Sequence, residues 1–167
     1  MRKCSFFLVF AFLISMLSSC KAEETFVSPI TFYYPTSDIQ YEPDSLTIQP
    51  ETREGCALLT FPDQMQAFLE GPIHAEYIQP FPDGLSLINA LLEESRIYLT
   101  FSQELSTLNG LKLTIACCCI AKTTMELSSA TEVHISVSAG LLNGEKTLIF
   151  TQENMLFLDE MTDFDEE

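Results

Sequence analysis

The chain has 167 residues, 24 of them acidic and 8 basic, for a formal charge of −16. Such a surface is repelled by phosphate backbones and anionic head groups, which excludes nucleic acid as a partner. With 47% hydrophobic residues, the length suits a single domain with a real core.

The chain begins MRKCSFFLVFAFLISMLSSC. Arg2 and Lys3 supply a short positive region, and residues 6–17 are almost wholly apolar. A spanning helix needs about 20 apolar residues, so this shorter run reads as the hydrophobic part of an export signal. Leu17-Ser18-Ser19-Cys20 follows, with an abrupt change to polar residues at Lys21. The tetrad resembles a bacterial lipobox. That resemblance implies that signal peptidase recognises Leu17, Ser18 and Ser19, and that Cys20 becomes the first mature residue, its thiol taking the lipid. An ordinary export signal with a coincidental cysteine is the alternative. On this basis residues 1–19 are a lipoprotein signal peptide and 20–28 a lipidated tether. The mature chain is expected on the extracytoplasmic face of the bacterial cell membrane, lipid-anchored. Each buried CH₂ contributes about 0.8 kcal/mol, so several acyl chains hold far more durably than one. Losing Arg2 and Lys3 with the signal would take the charge to −18.

Beyond the tether, ITFYY at 30–34 reads as a strand, rich in β-branched and aromatic residues and ended by Pro35. Residues 36–44 are turn-rich, and 46–49 suit a second short strand. Pro62 opens a helix, with Asp63 favourable at its positive end. Met65, Phe68 and Leu69 share one face of it, and Gly71-Pro72 stops it. Residues 72–84, with their prolines, predict a loop. Residues 85–92 and 96–101 predict a hairpin turning at Glu93-Glu94-Ser95. The first of these could also be helical, but in the second Ile97, Leu99 and Phe101 alternate with Arg96, Tyr98 and Thr100. A long helix over 111–127 follows, with Leu113, Ala116, Cys117, Ile120, Thr124 and Leu127 on one stripe. Val133, Ile135 and Val137 alternate with His134, Ser136 and Ser138 as another half-buried strand. Asn143-Gly144 is a hairpin turn signal, 147–150 a returning strand, and 155–158 a weaker strand candidate. This order predicts an α+β fold: a mixed β-sheet with two helices packed on one face (β-α-β-β-α-β, with an extra C-terminal strand or hairpin). The last nine residues hold six acids and read as a solvated acidic tail, 159–167.

The run TIACCCIAK raises the question of metal or redox chemistry. A thiolate metal site usually shows paired C-x₂-C spacings, which are missing here. Consecutive helical residues step about 100° apart, so Cys117, Cys118 and Cys119 fan around the axis and cannot converge on one ion. Free cysteine packs as a small apolar residue. The stripe therefore places Cys117 in the core, with Cys118 and Cys119 on the flanks near Leu111 and Ile115. One bridge between Cys56 and a triplet member stays open; a multi-bridge framework is not supported. No metal site, cofactor or catalytic residue is expected. His134 sits at a polar position of its strand and reads as solvent-facing. His74, with Tyr77 and Phe81, marks the loop 72–84 as the candidate ligand loop. The aromatics Phe32, Tyr33 and Tyr34, with Tyr77 and Phe81, would suit a glycan platform, but alternation favours core for the strand members.

Taken together, the pieces resemble a GerMN domain, the module named from spore germination and sporulation proteins. That family shows an early strand of the type "ItlYFp", here ITFYYP at 30–35, and a helix ending "LleGP", here AFLEGP at 67–72. Its "pLPeG…VDLSsel" segment corresponds to PFPDG…YLTFSQEL at 80–105, and its second helix and following strand to residues 113–140. The departures are specific. The family's frequent asparagine falls at Lys122, its glycine before the last strand at Ser129, and its "VDLS" reads Leu99-Thr100-Phe101-Ser102. The "VDG" turn is replaced by Ser138-Ala139-Gly140. The resemblance implies a GerMN-like domain over 29–158 that is a non-enzymatic interaction or assembly module, linked to sporulation, germination or the cell envelope. Its expected partners are envelope or sporulation proteins or peptidoglycan, with self-association open. A ligand-binding lipoprotein recognising a cell-wall fragment or germinant is the alternative, and a small envelope hydrolase a weaker one.

Overall fold

The structure is a computed structural model, and it describes residues 29–36, 48–55 and 59–155. The signal, Cys20, the tether, Cys56 and the acidic tail lie outside the described residues. The chain order is β1 (Ile30–Pro35), β2 (Ile48–Arg53), α1 (Phe61–Leu69), β3 (Leu87–Glu93), β4 (Arg96–Phe101), α2 (Gly110–Ser128), β5 (Glu132–Val137) and β6 (Thr147–Thr151), with a 3-10 turn at Gln103–Thr107. The α+β class expected from the sequence is what folds.

The strands divide between two sheets. β1 and β2 form an antiparallel ribbon, and β3-β4-β5-β6 form a mixed sheet in which β4 and β5 run parallel. A parallel pair needs a long crossover, and α2 is that crossover. The β3–β4 and β5–β6 pairs are antiparallel hairpins. Period-two alternation held in the centre: Ile97, Leu99 and Phe101 on β4 and Val133 and Ile135 on β5 are buried beneath α2 and its neighbours. Asn143 and Gly144 both take positive φ, and Leu142 and Glu145 exchange backbone hydrogen bonds across them at 2.8 and 3.0 Å. That is the tight hairpin turn the dipeptide signals.

The second strand begins near the expected place but runs further, through Pro50, Glu51 and Arg53. Among the described residues it pairs only with β1, so the missing proline N–H costs no ladder bond on its open side. The expected strand at 155–158 falls almost wholly outside the described residues; Met155, within them, is buried.

Helix α2 is buried over a wider arc than its stripe predicts. Cys119 is fully buried, whereas the stripe puts it on a flank. The reason is a second covering element. α2 packs on β5 on one side and on β1 on another. The Tyr33 backbone N–H donates to Thr123 Oγ1 at 2.9 Å, one turn beyond Cys119. α2 ends at Ser129, which takes the left-handed conformation at φ 58°. An L-residue there costs roughly 1–2 kcal/mol, and glycine is free of that cost. Ser129→Gly should therefore stabilise the domain by about 1 kcal/mol, read as a higher urea midpoint at unchanged slope; an unchanged or lower midpoint would mean that the serine is held by contacts outweighing its strain.

Candidate interaction surface

The loop 72–84 is anchored by a buried ion pair. Glu51 and Arg53 lie two residues apart on β2 and so share a face. Glu51 is 1% exposed, and its Oε2 accepts from Arg53 Nη2 at 2.6 Å and Nε at 2.8 Å. Arg53 also donates to the Gly71 carbonyl at 2.6 Å, the Ala67 carbonyl at 3.0 Å and the Tyr34 hydroxyl at 3.0 Å. Tyr34 in turn donates to the Phe68 carbonyl at 2.6 Å. The other oxygen of Glu51 accepts from the backbone N–H groups of Ile73 and His74, at 2.8 and 3.0 Å. The guanidinium lies 4.8 Å over the Phe32 ring. Burial pushes the Tyr34 phenol up, with Arg53 beside it pulling the other way.

This geometry locates the three candidate loop residues. His74 is exposed, with its backbone tied to Glu51. Tyr77 donates to the Pro50 carbonyl at 2.8 Å and packs on Tyr34. Phe81 is buried, edge-on to Phe68 with centroids 4.9 Å apart. Phe81 also borders a cavity of about 350 Å³ with Pro35, Ile78, Leu108, Lys112 and Ile115. The loop thus brings Tyr77 and Phe81 toward the aromatic core and leaves His74 apart from them. Sequence reasoning passed over Glu51 and Arg53. The available signal was an i, i+2 pair of opposite charges in a chain with few basic residues.

The cysteine triplet carries no disulfide; all three are free thiols. Burial pushes the Cys117 thiol up to about 12, with Cys118 adding to it. Cys119 is pushed well above the ordinary range, and the half-buried Cys118 is raised too, in both cases chiefly by burial. Thiols held protonated are poor nucleophiles and poor metal ligands. Among the described residues, no group of three or more His, Cys, Asp or Glu is placed to hold a metal ion, and no helix is long and apolar enough to cross a membrane.

The remaining feature is the outer face of the four-stranded sheet. Register sets Leu91, Tyr98, His134 and Ile149 in one row across β3, β4, β5 and β6. Leu91 and Ile149 are about half exposed, and the Tyr98 and His134 rings stack with centroids 4.5 Å apart. Next to this row Arg96 and His134 both meet Glu132, the arginine at 3.4 Å. On the other side Thr100 and Ser136 exchange a hydroxyl hydrogen bond at 3.2 Å. His134, expected to face solvent, lies on this outer face but is half-buried by its neighbours. The face is an apolar and aromatic row flanked on β4 and β5 by polar groups that already have partners.

No protein-family model matches the chain, and no curated protein matches it in sequence. Solved structures similar in fold include the tandem GerMN domains of the sporulation protein GerM from Bacillus subtilis, with a TM-score of 0.55 and 19% identity over 72% of this chain and 43% of that one. A structure from Clostridium perfringens, assigned as a lipoprotein, aligns over 76% of this chain and 89% of its own, at 13% identity. Its TM-score of 0.42 is too low to bear on function. The class of protein so defined is a small α+β domain of paired sheets and a crossover helix. More particularly, the fold is GerMN-like, in agreement with the resemblance carried by ITFYYP and AFLEGP. The chain spans less than half the length of the tandem structure.

Removing one partner of a buried ion pair leaves an uncompensated charge, at a cost of about 3–5 kcal/mol. Arg53→Met should lose that much stability, and Glu51→Gln/Arg53→Met should lose less than the two single variants together, as measured by denaturant unfolding. Strict additivity would remove the ion pair from the account. The thiols give a second check. Burial raises all three, Cys117 to about 12, so the buried Cys117 and Cys119 stay protonated and unreactive at neutral and mildly alkaline pH in the folded chain. Iodoacetamide at pH 8 should leave Cys117 and Cys119 unmodified until denaturant is added; rapid native labelling, read by peptide mass, would contradict their burial.

Proposed function

We propose that this chain is an extracytoplasmic lipoprotein, held to the membrane by lipid on Cys20, whose GerMN-like domain is a non-enzymatic docking module of the cell envelope. In this proposal residues 1–19 are the signal peptide, 20–28 the lipidated tether, 29–158 the domain and 159–167 an acidic tail. The observation that carries the docking role is the outer sheet face with its row of Leu91, Tyr98, His134 and Ile149. Monomeric soluble proteins rarely leave a contiguous apolar stretch uncovered without a use for it. The GerMN-like fold and the sporulation protein that shares it support an envelope or sporulation partner, with peptidoglycan or a second copy also within the role. The alternative, capture of a cell-wall fragment or germinant, finds support in the apolar cavity beside Phe81, which holds Lys112 as its one cationic residue. The row crosses all four strands of the sheet, and docking is preferred.

The test combines fractionation and crosslinking in the native host. The full chain should sit in the membrane fraction and Cys20→Ala should leave it; retention of the variant would reject the lipid anchor. Crosslinking of intact cells across growth and sporulation should join the chain to an envelope protein through its sheet face. No adduct at any stage would sink the docking role.

A further inference from the structure

The two free edges of the four-stranded sheet are treated differently. At β6, Asn154 folds back along the strand. Its Oδ1 accepts from the Thr151 N–H at 2.8 Å and its Nδ2 donates to the Ile149 carbonyl at 3.1 Å. The side chain thereby occupies backbone groups that a further strand would need. Natural sheets cover or blunt their edges in such ways to prevent pairing with other chains.

β3, at the other edge, pairs with no strand but β4 among the described residues; helix α1 touches it, and no side chain is seen to fold back on its backbone as Asn154 does at β6. Ile88, Leu91 and Leu92 are 56%, 49% and 52% exposed. The strand contains neither lysine nor proline, the usual edge guards, and its one irregularity falls between Leu87 and Asn89. From Asn89 to Glu93 the register with β4 is unbroken.

We infer that the β3 edge is a self-docking strand, which pairs antiparallel with β3 of a second copy about a two-fold axis at Leu91. This rests on the docking role proposed above and names its partner. Directly opposed residues share a face of the sheet. The axis therefore sets Leu91 against its own copy on the outer face, continuing the apolar row from one domain into the next. It sets Ala90 against Leu92, small against large, on the inner face. It sets Asn89 against Glu93, an amide donor facing a carboxylate that has no ion-pair partner among the described residues. An isologous contact must be self-complementary in this way. The acidity of the chain does not forbid it. The two copies of Glu93 stand about 14 Å apart along the strands, beyond the ~8 Å Debye length at physiological ionic strength.

The test uses the full chain in mild detergent. Leu91→Cys puts two thiols face to face at the axis, whereas Ile149→Cys puts one at the guarded edge. Under mild oxidation, a non-reducing gel should show a disulfide-linked dimer for Leu91→Cys and no such band for Ile149→Cys or the parent chain. Absence of the Leu91→Cys dimer, or equal dimer from both variants, would overturn the inference. Independently, Leu91→Lys sets like charges together and should abolish the dimer in native mass spectrometry, with the unfolding midpoint unchanged when both chains are compared at concentrations too low for the parent to pair. A dimer that survives it overturns this register. A chain that stays monomeric yet crosslinks to an envelope protein in cells overturns the inference and leaves the docking role standing; one that does neither overturns both.

Discussion

The fold depends on where Arg53 puts its charge. Helix α1 has no basic residue in its last turn. Carbonyls at a helix end need donors and favour a cation. Arg53, from a different element, supplies both, reaching Ala67 and Gly71 while Glu51 holds the start of the following loop. The pair thus clamps the β1–β2 ribbon, the end of α1 and the loop 72–84 into one unit. A buried ion pair of this kind adds little net stability over well-packed apolar groups. Its effect here is positional: it fixes the ribbon so that Phe32 and Tyr34 meet Phe68, which in turn seats Phe81.

That placement decides what the crossover helix must be. With the ribbon held on one side and β5 on the other, α2 is enclosed over most of its circumference. Close approach on two sides calls for small side chains, and α2 supplies Ala116, Cys117, Cys119, Ala121 and Thr123, all buried. Thr123 adds a hydroxyl that accepts the Tyr33 N–H, a backbone donor with its polarity to satisfy inside the protein. The cysteine triplet is therefore explained by volume. Cysteine is small and apolar, and the same burial that selects it keeps its thiol protonated.

Much of this was legible in the sequence, and the remainder was hidden for physical reasons. Ile97, Leu99 and Phe101 alternate because one sheet face is buried and the other is not, and a period-two pattern records that directly. Pro62 and Gly71 mark both ends of α1 by their fixed and permissive backbones, and Gly71 takes φ 102°. Strand β2 was harder to see. The sequence pattern assigned no element to Pro50, Glu51 and Arg53, because a charged residue carries no sign of burial until its partner is known. Cys119 was misplaced because a single stripe assumes a single covering surface. LINALL in β3 suited a helix as well as the hairpin strand that its following turn favoured, because its apolar residues fall on both faces; in the structure it is that strand, with Leu91 and Leu92 on opposite sides of an edge and both half exposed. The site was thus visible as an ambiguity in the pattern, without a motif of its own.

The charge distribution separates the surface into parts with different tasks. On the outer sheet face Glu132 already holds Arg96 and His134, and Thr100 already holds Ser136. A partner arriving at these four strands would find those groups satisfied among themselves. What it could gain is burial of the row from Leu91 to Ile149, at roughly 25 cal/mol per Å² of apolar area removed from water. Such contact is only weakly sensitive to salt. Glu93 and Glu94 at the β3 end, without an ion-pair partner among the described residues, would then act on orientation and register more than on strength, since charges exposed at a rim steer encounter and exclude wrong alignments.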